Sequence, residues 1–489
     1  MNSIRINKED NVALCVEKIE KGDIVMGVTA LEDIPFGHKM ALEDIKNGEN
    51  IIKYGNPIGH AERDIKKGEW VHSHNLKTNL DGFLDYTYLP TDIPKMESEE
   101  RFFDGYLRSD GSVGIRNEIW IIPTVGCVNK TAELICKKAN ELYGGMCDGI
   151  FAYTHPYGCS QLGDDMEYTQ KILKGLALHP NALGVLLLSL GCENNNLDVF
   201  LPTLGDYDKE KIKTLVAQNE DDEIHEALEI IKKLCEKASK EKRQKISVSK
   251  LKIGFKCGGS DAFSGVTANP LCGRVTEKFV SYGSSVILTE VPEMFGAETL
   301  LMNRAKNEKV FDSAVKMVND FKSYFKRHGQ TVYENPSPGN KKGGITTLEE
   351  KSLGCIQKGG KAAVTAVLDY GEECRESGLN LLTGPGNDMV SVTNLTASGA
   401  HIILFTTGRG TPLGAPVPTI KISSNTPLYE KKKNWIDFNA GEVLNGESFD
   451  ALCESLTEKI IAVASGKEKT LNEQNGYKEI AIFKDGVTL

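Results

Sequence analysis

The sequence has no uninterrupted apolar stretch approaching the roughly 20 residues that cross a bilayer, which excludes a helical membrane span. Its first residues, MNSIRINKEDN, lack the apolar core of a secretion signal, so the expected location is the cytoplasm. Basic residues are outnumbered: Lys+Arg 58 against Asp+Glu 68 gives a formal charge of -10, and no Lys/Arg stripe is interleaved with aromatics. Nothing here would grip a nucleic-acid backbone, so neither a membrane nor a nucleic acid is an expected partner. The 12 cysteines contain no Cys-x-x-Cys pair, which argues against a local ferredoxin-type loop. In a reducing compartment they are thiols or metal ligands rather than disulfides.

What is present points to several domains, because 489 residues exceed one hydrophobic core. Ile-x-x-Gly recurs four times, at Ile19 to Gly22, Ile34 to Gly37, Ile45 to Gly48 and Ile65 to Gly68, and reads as short strands joined by glycine turns. A small β domain is expected over 1–90, followed by a linker over 91–103. From there strand-like runs (EIWIIPTV, GIFAYT, GVLLLSL, LKIGFK, SSVILTEV, HIILFTT) alternate with helical patterns, which predicts βα units and a mostly parallel sheet. Ile224, Leu228, Ile231 and Leu234 fall at helical spacing within 221–245, and the charged run after them predicts a boundary near 246. The expected division is therefore an α/β domain over 104–245 and a second over 246–489.

Four apolar runs finish at or near a cysteine: Cys127, Cys159, Cys192 and Cys257. Ligands bind outside the carboxyl ends of strands in open α/β sheets, so these thiols are candidate metal ligands, with His155 or Asp261 as alternatives. The other eight cysteines are expected to be small buried hydrophobes. Arg409 in TTGRG sits on a glycine loop suited to clamping a carboxylate, although such a loop is also an ordinary turn. GPGND lacks the third glycine of a dinucleotide fingerprint, since Met389 stands there. His72 and His74 alternate on one strand face, as paired ligands, acid/base groups or plain structural residues. Glu290 and Glu293 follow a strand, either as a general base or as solvated carboxylates.

Longer segments carry a resemblance: DGSVGIRNEIWIIPTVGCVN, HPYGCSQLGDD, LGCENN, CGGSDAFSGVTANPLCGR, LTEVPEMFGAE, YENPSPGNKKGGITTLEEKSLGC, FTTGRGTPLGAPVPTIKI and AIFKDGVTL, with KYGNPIG and VHSHN earlier. Over essentially the whole chain these are similar to the UxaA family of altronate and galactarate dehydratases, related to sulfolactate sulfo-lyases. The resemblance implies an N-terminal SAF (β-clip) domain, a middle α/β domain used for dimerisation and a C-terminal Rossmann-like, mostly parallel sheet. It also implies an iron-dependent hydro-lyase that converts D-altronate to 2-dehydro-3-deoxy-D-gluconate in galacturonate catabolism. Iron is expected as Fe(II) or an iron–sulfur cluster, with manganese as a substitute, in a homodimer acting on a small sugar acid.

For that chemistry the candidate acid/base residues are His72, His155 and Glu293. Arg116 and Arg409 would clamp the carboxylate, with Lys421 and Asn194 as further binding residues. The strand carrying VHSHN would act as a lid. Rival readings are a galactarate or other sugar-acid dehydratase, a sulfolactate lyase, an iron–sulfur redox or sensing protein, and a sugar-acid binding module.

Overall fold

The structure, a computed structural model, describes residues 2–80, 82, 84–94, 99–332, 335–486 and 488. Residues 95–98 of the expected linker lie outside the described residues.

The repeated Ile-x-x-Gly phrase has one structural meaning. Ile19 bridges to Ile34 and Ile45 to Ile65, all four buried. The glycine three residues after each turns the chain with a left-handed φ, 97° at Gly22 and 92° at Gly68, which side chains with a Cβ rarely adopt. Around these bridges lie an antiparallel sheet of Ser3–Ile4, Val12–Cys15, Lys39–Ala41 and Trp70–Val71, and a second of Asn50–Lys53, Asn56–Ala61 and Leu76–Lys77. After residue 78 the chain has little regular structure but clings to the C-terminal region, through Tyr86 Oη to Glu298 (2.6 Å) and Tyr88 Oη to the Ala305 carbonyl (2.8 Å).

The next unit is a parallel four-stranded sheet in the order Ile150–Ala152, Glu118–Pro123, Ala182–Ser189, Ile212–Val216. Alternate residues of EIWIIP serve different cores. Trp120 and Ile122 pack with Ile172, Leu173 and Leu176 of helix Asp164–Leu178, while Ile119 and Ile121 pack with Ile135, Ile231 and Leu234 of helices Asn129–Tyr143 and Glu223–Ala238. A strand covered on both faces reads as an unbroken apolar run, and each such side chain contributes about 1.5–3 kcal/mol. Helix Glu223–Ala238 falls inside the span that the spacing of Ile224 to Leu234 predicts. The residues around 246 form a strand, Gln244–Ser247, that pairs antiparallel with Phe102–Leu107.

The C-terminal region is built on a seven-stranded parallel sheet, ordered Val364–Leu368, Gly378–Leu382, Ser285–Leu288, Lys252–Cys257, Ile402–Thr407, Thr419–Ser423, Phe438–Asn439. The chain enters at Lys252–Cys257, builds outward on one side, then returns to build the other side from Ile402–Thr407. The order therefore reverses between these two strands, and a crevice opens beyond their carboxyl ends at Cys257 and Thr407. Among the described residues no helix is long and apolar enough to cross a membrane.

Candidate active site

Side chains converge at the switch point from four directions. Cys257 Sγ lies 3.5 Å from Cys355 Sγ and 3.4 Å from Glu293 Oε2. Glu290, held at a left-handed φ of 72°, accepts from the Cys257 N–H (3.1 Å), from Lys358 Nζ (2.8 Å) and from Lys256 Nζ. Such a backbone conformation costs roughly 1–3 kcal/mol in a residue other than glycine, and these three bonds hold it in place. Ligand atoms of Cys257, Glu290 and Cys355 lie within 4.8 Å of one another, the one such group found among the described residues. Lys358 Nζ, however, is 3.1 Å from Cys355 Sγ, so an ammonium already bridges two of the three donors.

The N-terminal β domain closes this crevice. Lys39 and Lys53, both buried, place their Nζ atoms 2.9 Å and 2.7 Å from the Glu350 carboxylate, which also accepts from Thr346. Burial would raise the Glu350 carboxyl, but the two ammoniums overcome it and hold it well below the ordinary range. Beside them Lys351 Nζ lies 2.6 Å from Glu293 Oε1; burial again opposes, and Lys351 and Lys256 win, holding Glu293 at about 2. A cavity of about 10 Å³ remains among Tyr54, Ser260, Asp261, Glu350, Lys351 and Cys355, room for one water.

At the rim His72 stacks on Trp70 (5.4 Å between ring centroids) and meets His38 edge-on (4.7 Å). Burial, then Lys39 and His38, push its pKa down to about 3, so the ring is neutral near pH 7. Its Nδ1 is buried and has no hydrogen-bond partner. His38 accepts from the Trp70 indole N–H (3.1 Å) and bonds to the Lys342 backbone, tying the N-terminal β domain to segment 337–344. His74 lies against the Trp70 ring. Asp261 accepts from Ser264, Ser424 and Asn425, and its burial pushes its carboxyl up. Arg409 is exposed over Gly259 and Gly339 and has no acidic partner among the described residues.

Three of the four strand-end cysteines occupy a different edge. Cys127, Cys159 and Cys192 follow neighbouring strands of the four-stranded sheet, each directly after a glycine, and each is exposed. Cys257 belongs to the other sheet and is buried against Cys355. Backbone bonds knit the three tips together: Gly126 N–H to Tyr157 O (2.8 Å), Asn195 N–H to Gly158 O (3.0 Å), Thr124 N–H to Leu188 O (2.9 Å). Buried Glu193 accepts from Thr124 and Ser189 (2.6 Å each) and from the Leu190 and Gly191 N–H groups. Burial would raise its pKa; these donors keep it low.

Arg116, His155 and Asn194 are bonded within the protein, and Lys421 is buried in its strand. Arg116 is buried in a two-pronged pair with Glu473 (2.6 and 3.1 Å) and also donates to the Ile115 and Val463 carbonyls, so its fork is filled by the protein itself. His155 uses both nitrogens, Nε2 on the Pro123 carbonyl (2.8 Å) and Nδ1 accepting from Tyr157 N–H (3.2 Å), with burial lowering it to about 4; it positions the Cys159 loop. Asn194 Oδ1 accepts from Ser160 N–H (2.7 Å), stapling two tips. Lys421 is a buried ammonium within its strand, without a hydrogen-bond partner and lowered to about 8 by burial. Sequence reading missed Cys355, taken as an ordinary buried thiol, and Lys256, Lys351 and Lys358. Cys355 reaches Cys257 across 98 positions, and no local pattern signals that contact.

Three family models match consecutive parts of the chain: the altronate/galactarate dehydratase SAF domain at 1–79, the D-galactarate dehydratase/altronate hydrolase second domain at 105–239, and the D-galactarate/altronate dehydratase C-terminal domain at 248–488. Similar proteins are an altronate dehydratase of Bacillus subtilis (strain 168), 50% identical over 99% of both chains, and one of Escherichia coli (strain K12), 49% identical over 100% of both. The galactarate dehydratase (L-threo-forming) of Escherichia coli (strain K12) is 34% identical, covering 98% of this chain and 96% of its own. With all three family domains in order and half of its residues shared end to end with such enzymes, the chain belongs to the altronate/galactarate dehydratase family of hydro-lyases.

Proposed function

We propose that this enzyme dehydrates D-altronate to 2-dehydro-3-deoxy-D-gluconate, a step of galacturonate catabolism. The observation that carries the substrate is the full-length identity of 50% and 49% to altronate dehydratases, against 34% to the galactarate enzyme. The crevice supplies what the reaction needs. Arg409, exposed and without an acidic partner, grips the carboxylate. His72, whose buried Nδ1 has no hydrogen-bond partner, takes the proton from C2, next to that carboxylate, once opening of the crevice relieves the burial and the Lys39 charge that weaken it as a base. A proton passed through the Lys351–Glu293 pair leaves with the C3 hydroxyl as water. The enol that remains gains a proton at C3 and loses one from its C2 hydroxyl, giving the 2-keto acid. Because the closed cavity has room for one water, the SAF domain moves off the crevice to admit a hexonate, as a lid does.

Iron, with manganese as a substitute, would supply Lewis acidity toward a bound carboxylate or hydroxyl. Its fit differs between the two thiol sets. The Cys257–Glu290–Cys355 group has Lys256 and Lys358 ammoniums on its own donor atoms, which disfavours a further cation there. Cys127, Cys159 and Cys192 are exposed soft donors with no lysine or arginine bonded to them among the described residues, and these fit. The test is an anaerobic assay over hexonates and aldarates, with and without Fe(II), reading 2-keto acid. Altronate turned over fastest supports the proposal; faster turnover of galactarate overturns it.

A further inference from the structure

The three exposed Gly-Cys tips stand on one frame of backbone bonds. Each tip leaves its own strand of one parallel sheet, on the order Ile150–Ala152, Glu118–Pro123, Ala182–Ser189, so the three sit on adjacent strands at the same edge. The glycines before Cys127 and Cys159 are there for close approach of backbone. A Cβ on Gly126 would stand 3.0 Å from His155 O, and one on Gly158 only 2.0 Å from Thr124 O. Backbone therefore packs on backbone beneath the thiols, and Ser160 is held at a left-handed φ of 56° just after Cys159. Buried Glu193 anchors the same frame from below, its oxygens filled by four donors.

The frame is rigid, yet the sulfurs on top of it have almost nothing to do. Among the described residues Cys159 Sγ meets only the Ser160 hydroxyl at 3.8 Å, and Cys192 Sγ only Gln218 Nε2 at 3.7 Å. The three donor atoms do not all lie within 4.8 Å, since among the described residues only the Cys257 group does. A set of thiols not drawn together around one point favours a cluster, whose irons keep their cysteine sulfurs farther apart than a single ion does. Helix Asn129–Tyr143 begins two residues after Cys127, with no acid in its first turn and no side chain capping it. Its N–H groups and dipole favour an anionic group there, and a cluster carried by thiolates is anionic.

We propose that Cys127, Cys159 and Cys192 hold a four-iron, four-sulfide cluster with three protein ligands, leaving one iron open to an oxygen ligand, and that Cys257 is not among its ligands. This deepens the iron requirement proposed above and rests on it only for the identity of the metal. The cluster is a Lewis acid in this role and undergoes no net oxidation or reduction.

The test uses the full-length protein, reconstituted anaerobically with iron salt, sulfide and dithiothreitol, and analysed for iron and sulfide and by Mössbauer and EPR spectroscopy. The wild type is expected to bind about four irons and four sulfides per chain and, after brief exposure to air, to show the EPR signal of a three-iron cluster that has lost its open iron. Cys127→Ala, Cys159→Ala and Cys192→Ala should each lose the cluster spectrum while keeping the wild-type circular dichroism, and Cys257→Ala should keep the cluster. One iron per chain without sulfide, a cluster retained in all three tip variants, or a cluster lost in Cys257→Ala would each overturn the proposal. Altronate turnover is measured separately. Turnover without a cluster removes this inference alone; a cluster in a protein that turns over a different acid leaves it standing.

Discussion

Lys358 Nζ lies 2.8 Å from Glu290 Oε2, with both side chains wholly buried and Lys256 on the carboxylate's other oxygen. Two ammoniums therefore share one carboxylate, and Lys256 also has Asp388 at 3.0 Å. Glu290→Gln keeps the shape but leaves buried Lys358 without a carboxylate partner among the described residues and Lys256 with Asp388 alone, and a buried cation left without its partner costs about 3–5 kcal/mol. The expected result is a large fall in the urea midpoint of the variant. A midpoint within error of the wild type would mean that another acid takes over both lysines.

Arg116 and Glu473 give a second electrostatic prediction, this one with a pH signature. Glu473 falls from 4.5 to about 2, because Arg116 outweighs the burial that would raise it. A depressed carboxyl contributes stability fully above its unfolded value and loses it as pH falls through the folded one. Glu473→Gln should therefore narrow the loss of stability between about pH 4.5 and 2, followed by unfolding at fixed pH values. Arg116→Ala should be destabilised with the KM of the folded fraction unchanged. A raised KM with unaltered stability would return Arg116 to the substrate.

That pair shows where sequence reading stops. Arg116 looked like a free cation because its partner lies 357 positions away. Lys39, Lys53 and Glu350 likewise carry no local signal of their pairing, because the lysines lie 311 and 297 positions from the carboxylate. What is legible is whatever the backbone writes locally. The six named apolar runs all lie in the two parallel sheets, since a strand buried on both faces must be apolar throughout. The Ile-x-x-Gly phrase, too, specifies bridge and turn together. Four runs ending in cysteine are equally legible, but which sheet each strand joins is decided by long-range pairing. Cys257 therefore parted from Cys127, Cys159 and Cys192 for a reason no window of sequence contains.

His72 carries a spectroscopic prediction. Burial, Lys39 and His38 lower its pKa from 6.5 to about 3, so folding favours its neutral form. The corresponding stability is present above pH 6.5 and is lost as pH falls through the folded value. By NMR the His72 ring should stay neutral through pH 5, and Asn substitution should lower kcat. A ring titrating near 6.5 would show that the SAF domain stands open in solution.

Gly158 and Gly163 separate packing from backbone strain at the cysteine tips. Both have positive φ, 102° and 55°, so alanine at either position pays a conformational cost of about 1–2 kcal/mol. Only at Gly158 is the new Cβ blocked, by Thr124 O at 2.0 Å and Val125 Cα at 2.8 Å; at Gly163 nothing lies within 4 Å. The blocking atoms are backbone and cannot rotate aside, so Gly158→Ala must push the Cys159 tip away from the Cys127 tip. Gly163→Ala is therefore expected to lose modest stability and keep its iron, while Gly158→Ala loses more stability and most of its iron. Unfolding midpoints and iron content of the two proteins, prepared side by side without oxygen, decide it. Equal iron in both would mean that the position of the Cys159 tip does not matter to the metal, and the packing argument for the three-thiol frame would fail with it.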